Sequence, residues 1–309
     1  MIIRTGCRLH FGLDGVTPPF GGCGVMVDAM PTVVEAYRTD GFGVTGPAVT
    51  DDIRRRVEGI AVRIAEARKR DRLPPVQIVV HRVTPPHHGL GSGTQLAMAV
   101  ADAMGAIVDD PVERNSHEHR ENIVAVALRG QRSKVGTLGY FGGGYWSHDA
   151  SGQRQIAVPV QWRWLIMTPH APPPPVFGPR EEAWFERSAV AKNKDASSVR
   201  KSLQRQMKQL DDAIASADFD ATSTCLYDFN RQSGRLYGDV QRGCYRNEAV
   251  AALVDRLRGM GLAGVGQSSW GPAVFALCRN EAHALTIATT MADHAEMLCP
   301  AAVTRTADG

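Results

Sequence analysis

Pro85-Pro86-His87-His88-Gly89-Leu90-Gly91-Ser92-Gly93-Thr94 is the stretch on which the reading of this chain turns. On its N-terminal side, Val76–Val83 alternates apolar and polar residues, with Val76, Ile78 and Val80 on one face, as a half-buried strand does. On its C-terminal side, Leu96–Val108 is almost wholly apolar and predicts a buried helix. A glycine-rich segment between a strand and a helix has two readings. It can be a tight connection, or a cradle in which backbone amides and the unpaired first amides of the helix hold an anion. Three glycines and two hydroxyls fall within six residues, which favours a phosphate site made by Gly89, Gly91, Ser92, Gly93 and Thr94, with His88 beside them. Two better-known glycine-rich loops are excluded. A Walker A loop ends in Gly-Lys-Ser/Thr, and no lysine is present here. A dinucleotide fingerprint is followed by a strand ending in an acid, whereas here Asp109-Asp110-Pro111 leads into a second helical pattern, expected to run from Pro111 to about Leu128.

Three other segments carry chemistry. Arg8-Leu9-His10-Phe11-Gly12-Leu13-Asp14 reads as a strand end running into a turn. Its Arg8 can fork onto a carboxylate or phosphate, and His10 and Asp14 can do proton work; the alternative is an edge strand with polar residues facing water. Arg129-Gly130-Gln131-Arg132-Ser133-Lys134 places three cations and a hydroxyl within six residues, which suits a polyanionic substrate or a basic surface loop. Gly264-Val265-Gly266-Gln267-Ser268-Ser269-Trp270-Gly271-Pro272 precedes a buried strand, Ala273–Cys278, and is either a ligand-facing backbone or a hairpin turn. Ser116-His117-Glu118-His119 is not HExxH, and its histidines at i and i+2 point to different faces of a helix. No metal ligands are assigned.

Around these lie ordinary elements. Met1–Thr5 and Val33–Tyr37 read as strands with Gly21–Gly24 as a turn between them. Asp51–Arg70 reads as a helix whose Arg54-Arg55-Arg56 faces solvent. Gly136–Gly144 is a further glycine-rich run. The proline run in Pro169–Pro179 marks a stiff extended connection. After it, Val199, Leu203, Met207, Leu210 and Ile214 form one apolar helix stripe, followed by a helix at Asn247–Gly259, another at Glu281–Met291 and a last strand at Ala301–Arg305. Division into domains at 1–168 and 169–309 is expected. A length of 309 residues with 43% hydrophobic and 22% charged content is that of a globular protein with a substantial core, not a disordered or fibrous one. A net charge of +3 is too mild to indicate a nucleic-acid partner. Six dispersed cysteines, no apolar run of membrane-spanning length and no leader-like N-terminus point to a reduced, cytoplasmic protein without a membrane partner.

In order and content the four segments resemble the GHMP kinase superfamily: Pro85, Gly89, Leu90, Gly91 and Ser92 fit its Pro-x-x-x-Gly-Leu-Gly-Ser signature, and Gly264-Val265-Gly266 its late glycine-rich segment. Within it, Arg8–Leu13, Gly89–Gln95, Arg129–Ser133 and Gly264–Pro272 are most similar to the β-ribofuranosylaminobenzene 5'-phosphate synthases of tetrahydromethanopterin biosynthesis. The resemblance implies an α+β, two-domain fold. The N-terminal domain would be like ribosomal protein S5 domain 2, with a left-handed β-α-β unit, and the C-terminal domain ferredoxin-like. It also implies a transferase that condenses phosphoribosyl pyrophosphate with 4-aminobenzoate or 4-hydroxybenzoate, releasing pyrophosphate and CO2. Mg2+ or Mn2+ is implied, no nucleotide is, and a homodimer is expected. On this reading Arg8 orients the aromatic carboxylate, with His10 and Asp14 near the chemistry. Arg132, Ser133 and Lys134 take the sugar phosphate, and Gly266, Gln267, Ser268 and Ser269 line the substrate. Kinases of the superfamily often carry an Asp in the segment that here holds Arg132 and Ser133; no acid lies between Arg129 and Tyr140. An ATP-dependent small-molecule kinase is the alternative.

Overall fold

The computed structural model describes residues 1–108, 116–169, 178–191, 196–292 and 302–304. Its order is β1 (Ile2–Leu13), β2 (Gly22–Arg38), β3 (Gly43–Thr45), α1 (Asp51–Ala67), β4 (Val76–Arg82), α2 (Ser92–Val108), α3 (His117–Ala127), α4 (Val135–Gly142), β5 (Tyr145–Asp149), β6 (Gly152–Ile156) and β7 (Arg163–Met167). Then come α5 (Pro179–Ala191), α6 (Ala196–Ala215), α7 (Phe219–Arg235), α8 (Gly238–Gln241), α9 (Glu248–Gly259), β8 (Val265–Gln267), β9 (Val274–Cys278), α10 (Glu281–Ala292) and β10 (Ala302–Thr304).

Two sheets result. In the first, the order is β3-β4-β2-β5-β6, with β1 also paired to β2. β3 and β4 are parallel neighbours joined through α1, and the other pairings are antiparallel. In the second, the order β10-β7-β9-β8 is the 4-1-3-2 arrangement of a β-α-β-β-α-β unit, the ferredoxin-like topology. The chain passes from the first sheet to the second between Ile156 and Arg163, one strand before the expected division at 168/169.

Local chemistry explains the elements that set the site. α1 starts where the Thr50 hydroxyl accepts the Ile53 amide at 3.3 Å, with Asp51 and Asp52 at its positive end. α2 is buried nearly all round from Gln95 to Met104, because it packs on β1, β2 and β4 and against α1, α3 and α4. That enclosure fixes where its N-terminus points. Across the two sheets, Phe11 lies 5.4 Å from Trp164, 5.0 Å from Phe275 and 6.1 Å from Tyr145, ring centre to ring centre. One apolar cluster thus joins β1 to the second sheet directly beneath His10 and Gly12.

Two expectations need correction, and a glycine-rich run gains its structure. Gly21–Gly24 is not a turn, since β2 begins at Gly22; a Cβ at Gly22 or Gly24 would stand 2.5 Å from the Gly12 carbonyl or 2.3 Å from that of Leu9, so the glycines serve close strand approach. The Gly136–Gly144 run is largely α4, whose Gly139 lets the helix settle onto Met26. The helix expected from Pro111 is observed from His117, capped by the Ser116 hydroxyl on the His119 amide at 3.1 Å; residues 109–115 lie outside the described residues. The prolines at 172–175 also lie outside them.

Candidate active site

A cleft of about 480 Å3 opens where β1, the N-terminus of α2 and the 128–133 loop face α5, α7 and the β8–β9 turn. Of the expected residues, Arg8, His10, Gly89, Gly91, Ser92, Gly93, Thr94, Arg132, Ser133, Gln267 and Ser269 line it.

The cradle is held from below by the β8–β9 turn. Gly89 has φ +77°, and a Cβ there would meet the Ser268 carbonyl oxygen at 2.0 Å. The Ser268 hydroxyl donates to the Gly89 carbonyl at 2.7 Å and accepts the His10 amide at 3.0 Å. The Ala273 amide reaches the His88 carbonyl at 3.2 Å, and the Ser269 amide the His10 carbonyl at 3.1 Å. Ser268 is therefore a buried clamp behind the cleft. Gly266 also lies behind it, against Asn230, whose amide donates to the Phe11 and Gln267 carbonyls at 2.7 and 2.8 Å.

Cations crowd the cradle's mouth. Arg8 lies against Gly91: a Cβ there would be 3.1 Å from Arg8 Cβ and 3.4 Å from its Nε. At Gly93 a Cβ would be 3.4 Å from Arg56 Nη1 and 3.8 Å from Arg129 Nη2. Arg8 Nε and Arg129 Nε are buried donors without a protein partner. Burial pushes the Arg8 guanidinium down to about 10, and burial with neighbouring Arg56 and Arg63 lowers Arg129. Buried donors without a protein partner, beside a helix N-terminus, are electrostatically complementary to an anion.

The His10 ring sits at the base, with Nε2 2.9 Å from Ser133 Oγ. Ser133 Oγ also accepts the Val135 amide at 3.3 Å. Burial, then Arg8 and His148, hold the His10 imidazole well below its ordinary pKa, so it is neutral at pH 7.

Several expected residues stand elsewhere. Asp14 is buried off the cleft, accepting the Gly21 amide at 2.7 Å and the Gln204 amide at 2.8 Å, so it ties the β1–β2 connection to α6. His88 does not line the cleft; its Nδ1 is 2.7 Å from the Pro86 carbonyl, and His87, at φ +62°, lines the cleft in its place. The Lys134 side chain is not part of the wall; its backbone amide caps His148 Nε2 at 3.1 Å. Arg56, expected to face solvent, pairs with Asp52 at 2.7 Å and reaches the cradle. The opposite wall was not foreseen: Glu181 and Phe185 of α5, Asn230 and Ser233 of α7, Tyr237, and Trp270 of the β8–β9 turn. Of these, Trp270 alone belongs to the Gly264–Pro272 segment.

Among the described residues no group of three or more His, Cys, Asp or Glu side chains is placed to hold a metal ion, and the cradle's neighbours are cationic. A Mg2+ or Mn2+ ion bound among these residues would draw most of its ligands from a substrate's phosphate oxygens and water. Among them, too, no helix is long and apolar enough to cross a membrane.

Comparison with known proteins agrees with this architecture. The model described as GHMP kinases N terminal domain matches residues 55–138, and that described as GHMP kinases C terminal matches residues 228–296. Similar curated proteins are named beta-ribofuranosylphenol 5'-phosphate synthase. That of Methanothermobacter thermautotrophicus is 23% identical over 306 residues, covering 90% of this chain and 88% of that protein. That of Archaeoglobus fulgidus is 24% identical over 308 residues, covering 91% and 88%. The match to that of Methanocaldococcus jannaschii is local: 27% identity over 158 residues, spanning 47% of this chain and 45% of that protein. Among solved structures, the mevalonate kinase of Methanococcus jannaschii superposes with a TM-score of 0.72 at 12% identity, over 100% of this chain and 98% of that one. The mevalonate pyrophosphate decarboxylase of Streptococcus pyogenes gives 0.67 at 13%, over 100% and 97%. These structural likenesses carry the fold alone; the two domain models and the relatives aligned along most of the chain support a member of the GHMP kinase superfamily that resembles the beta-ribofuranosylphenol 5'-phosphate synthases.

Proposed function

We propose that this chain is a decarboxylating phosphoribosyltransferase that joins C1' of phosphoribosyl pyrophosphate to the ring carbon of an aromatic acid, with loss of pyrophosphate and CO2. The observation that carries it is the cation-rimmed cradle. Arg8, Arg56 and Arg129 converge on Gly91 and Gly93, two of them with unpartnered buried Nε donors. Such a cradle suits a leaving pyrophosphate. Where a superfamily kinase would place a carboxylate to take the acceptor's proton, this chain has Ser133 against a neutral His10. The name borne by the relatives specifies a phenol, which 4-hydroxybenzoate would give on losing CO2; 4-aminobenzoate would give the aniline.

The C1'–O bond to pyrophosphate breaks, and the pair leaves with the diphosphate. Charge developing there is met by the first amides of α2 and by Arg8, Arg56 and Arg129, already fixed and partly desolvated. The ring carbon bearing the carboxylate supplies the pair for the new C–C bond. The C–CO2 bond then breaks, its pair returns to the ring, and no proton is exchanged at carbon. Arg8 thus moves from the carboxylate role expected of it to the diphosphate. Neutral His10 holds Ser133 in place without adding a charge beside the forming cation. A divalent ion would arrive on the diphosphate itself. The reading includes a reducing, cytoplasmic setting, with Cys7, Cys23, Cys225, Cys244 and Cys278 unpaired. It also includes a homodimer, and neither a nucleic acid nor a membrane as partner.

ATP-dependent phosphorylation of a small alcohol is the second reading, favoured by the family match across the cradle. Two assays with Mg2+ separate them. One supplies phosphoribosyl pyrophosphate and carboxyl-labelled acid and counts CO2; the other supplies ATP and small alcohols and counts ADP. CO2 without ADP supports the synthase, and ADP without CO2 rejects it.

A further inference from the structure

We infer that the α5 side of the cleft is a subsite for an aromatic carboxylate, with Phe185, Tyr237 and Trp270 against the ring and Arg132 on the carboxylate. The choice of acid rests on the synthase reading; the subsite itself rests on geometry. Three separate segments bring the rings together: Tyr237 and Trp270 lie 4.8 Å apart, Phe185 and Tyr237 5.5 Å, and Phe185 and Trp270 5.7 Å, all edge to face. All three line the cleft. Edge-to-face packing makes them one apolar wall, in which Phe185 and Tyr237 are nearly buried and Trp270 is the more exposed ring.

A purely structural aromatic cluster would have no reason to hold a charge in the open. Here Arg132 lies 4.5 Å from the Phe185 ring centre, and its Nη1 pairs with Glu181 Oε2 at 2.9 Å while the side chain stays one-third exposed in the cleft. The other oxygen of Glu181 accepts the Trp270 indole N–H at 2.8 Å. Trp270, Glu181, Arg132 and Phe185 form a closed series of contacts that holds one guanidinium beside an aromatic wall. That combination selects a flat monoanion. A neutral purine would draw nothing from the guanidinium, which would stay on Glu181, and a phosphate dianion would stand beside Glu181 without using the rings. An incoming carboxylate competes with Glu181 for Arg132, which keeps its grip moderate, as a group that must leave as CO2 requires.

The test is binding without turnover. The full chain is titrated with 4-hydroxybenzoate, with phenol and with inorganic pyrophosphate, the aromatics also in the presence of pyrophosphate, using calorimetry and tryptophan fluorescence. Arg132→Gln is expected to raise the Kd for 4-hydroxybenzoate roughly 10- to 150-fold, the range for loss of a charged hydrogen bond, and to leave phenol and pyrophosphate unchanged. Trp270→Ala is expected to weaken both aromatics and not pyrophosphate. Glu181→Gln releases Arg132 and is expected to tighten the acid several-fold, which keeps the test open if Arg132→Gln misfolds. Wild-type acid affinity in Arg132→Gln, loss of acid binding in Arg8→Gln instead, or no acid binding by the native chain would each overturn the subsite. CO2 release with unaltered Arg132→Gln affinity would remove the subsite and keep the synthase. Acid binding dependent on Arg132 without CO2 release would do the reverse.

Discussion

Gly89→Ala is the perturbation that bears most directly on how the cradle is held. At φ +77° an alanine costs about 1–2 kcal/mol in backbone strain alone. Its Cβ, 2.0 Å from the Ser268 carbonyl, also forces that carbonyl or the loop to move. Either movement strains the 2.7 Å bond from the Ser268 hydroxyl to Gly89 and the 2.8 Å bond from the Gly271 amide to Ser268. At about 0.5–1.5 kcal/mol each, these bring the loss to roughly 2–5 kcal/mol. Gly261→Ala is the matched control: φ is +87° with nothing within 4 Å of the new methyl, so strain alone applies. At about 2 °C per kcal/mol for a chain of this size, melting should fall by about 4–10 °C for Gly89→Ala and about 2–4 °C for the control. Because the cradle amides shift with the loop, Gly89→Ala should also lose on the order of 100-fold in kcat/KM for phosphoribosyl pyrophosphate, and the control should lose none. Equal melting shifts in the two variants, with pyrophosphate affinity intact, would refute the clamp.

Arg129→Gln removes one cation from the pyrophosphate's path and is expected to lower kcat about 100- to 1000-fold with a smaller effect on KM for the acid, measured by steady-state kinetics. Asp14→Asn should cost about 1–3 kcal/mol in urea unfolding while kcat changes less than about threefold, because the carboxylate braces Gly21 and Gln204 outside the cleft. His148 is held at about 4, first by burial and then by Lys134. Unfolded chains take up its proton below about 6.5 while the folded protein does not until about 4, so stability should fall as pH drops through that window. His148→Gln should flatten part of that limb by about 2–3 kcal/mol, read from denaturant melts at pH 7 and pH 4.5; an unchanged limb would contradict the assignment. Cys7, pushed up to about 12 by burial, gives the opposite limb: stability should decline as pH rises above about 9, and Cys7→Ala should reduce that decline.

Local pattern made the cradle legible. Gly89–Thr94 between an alternating strand and an apolar helix needs no partner to be read, and the structure puts it at the N-terminus of α2. Arg8 and His10 were legible as chemistry but not as neighbours of Gly91 and Ser133, which depends on how β1 pairs and on where α4 packs. Asp14 misled, because an acid two residues past a strand glycine looks the same whether it faces a cleft or braces a turn. Arg56 was hidden by its own surroundings: three arginines at the start of an amphipathic helix read as solvated, and only the α1–α2 packing turns one of them onto Gly93. The aromatic wall had no local signal at all. Phe185, Tyr237 and Trp270 lie on three elements, and α7 itself has a buried face that mixes Thr222, Ser223, Asn230 and Ser233 with Leu226 and Phe229, which blurs its apolar period.

The central claim is that the cradle serves departure of pyrophosphate from a sugar whose C1' is captured by carbon. It is met most directly by incubating the protein and Mg2+ with phosphoribosyl pyrophosphate and 4-hydroxybenzoate carrying 13C at the ring carbon that bears the carboxylate. Pyrophosphate and CO2 are counted, and the product's carbon spectrum is recorded. One CO2 per pyrophosphate, with the labelled carbon bonded to C1', is the expected result. Pyrophosphate released with the carboxylate retained, or no pyrophosphate at all beside ready formation of ADP from ATP and an alcohol, would contradict it.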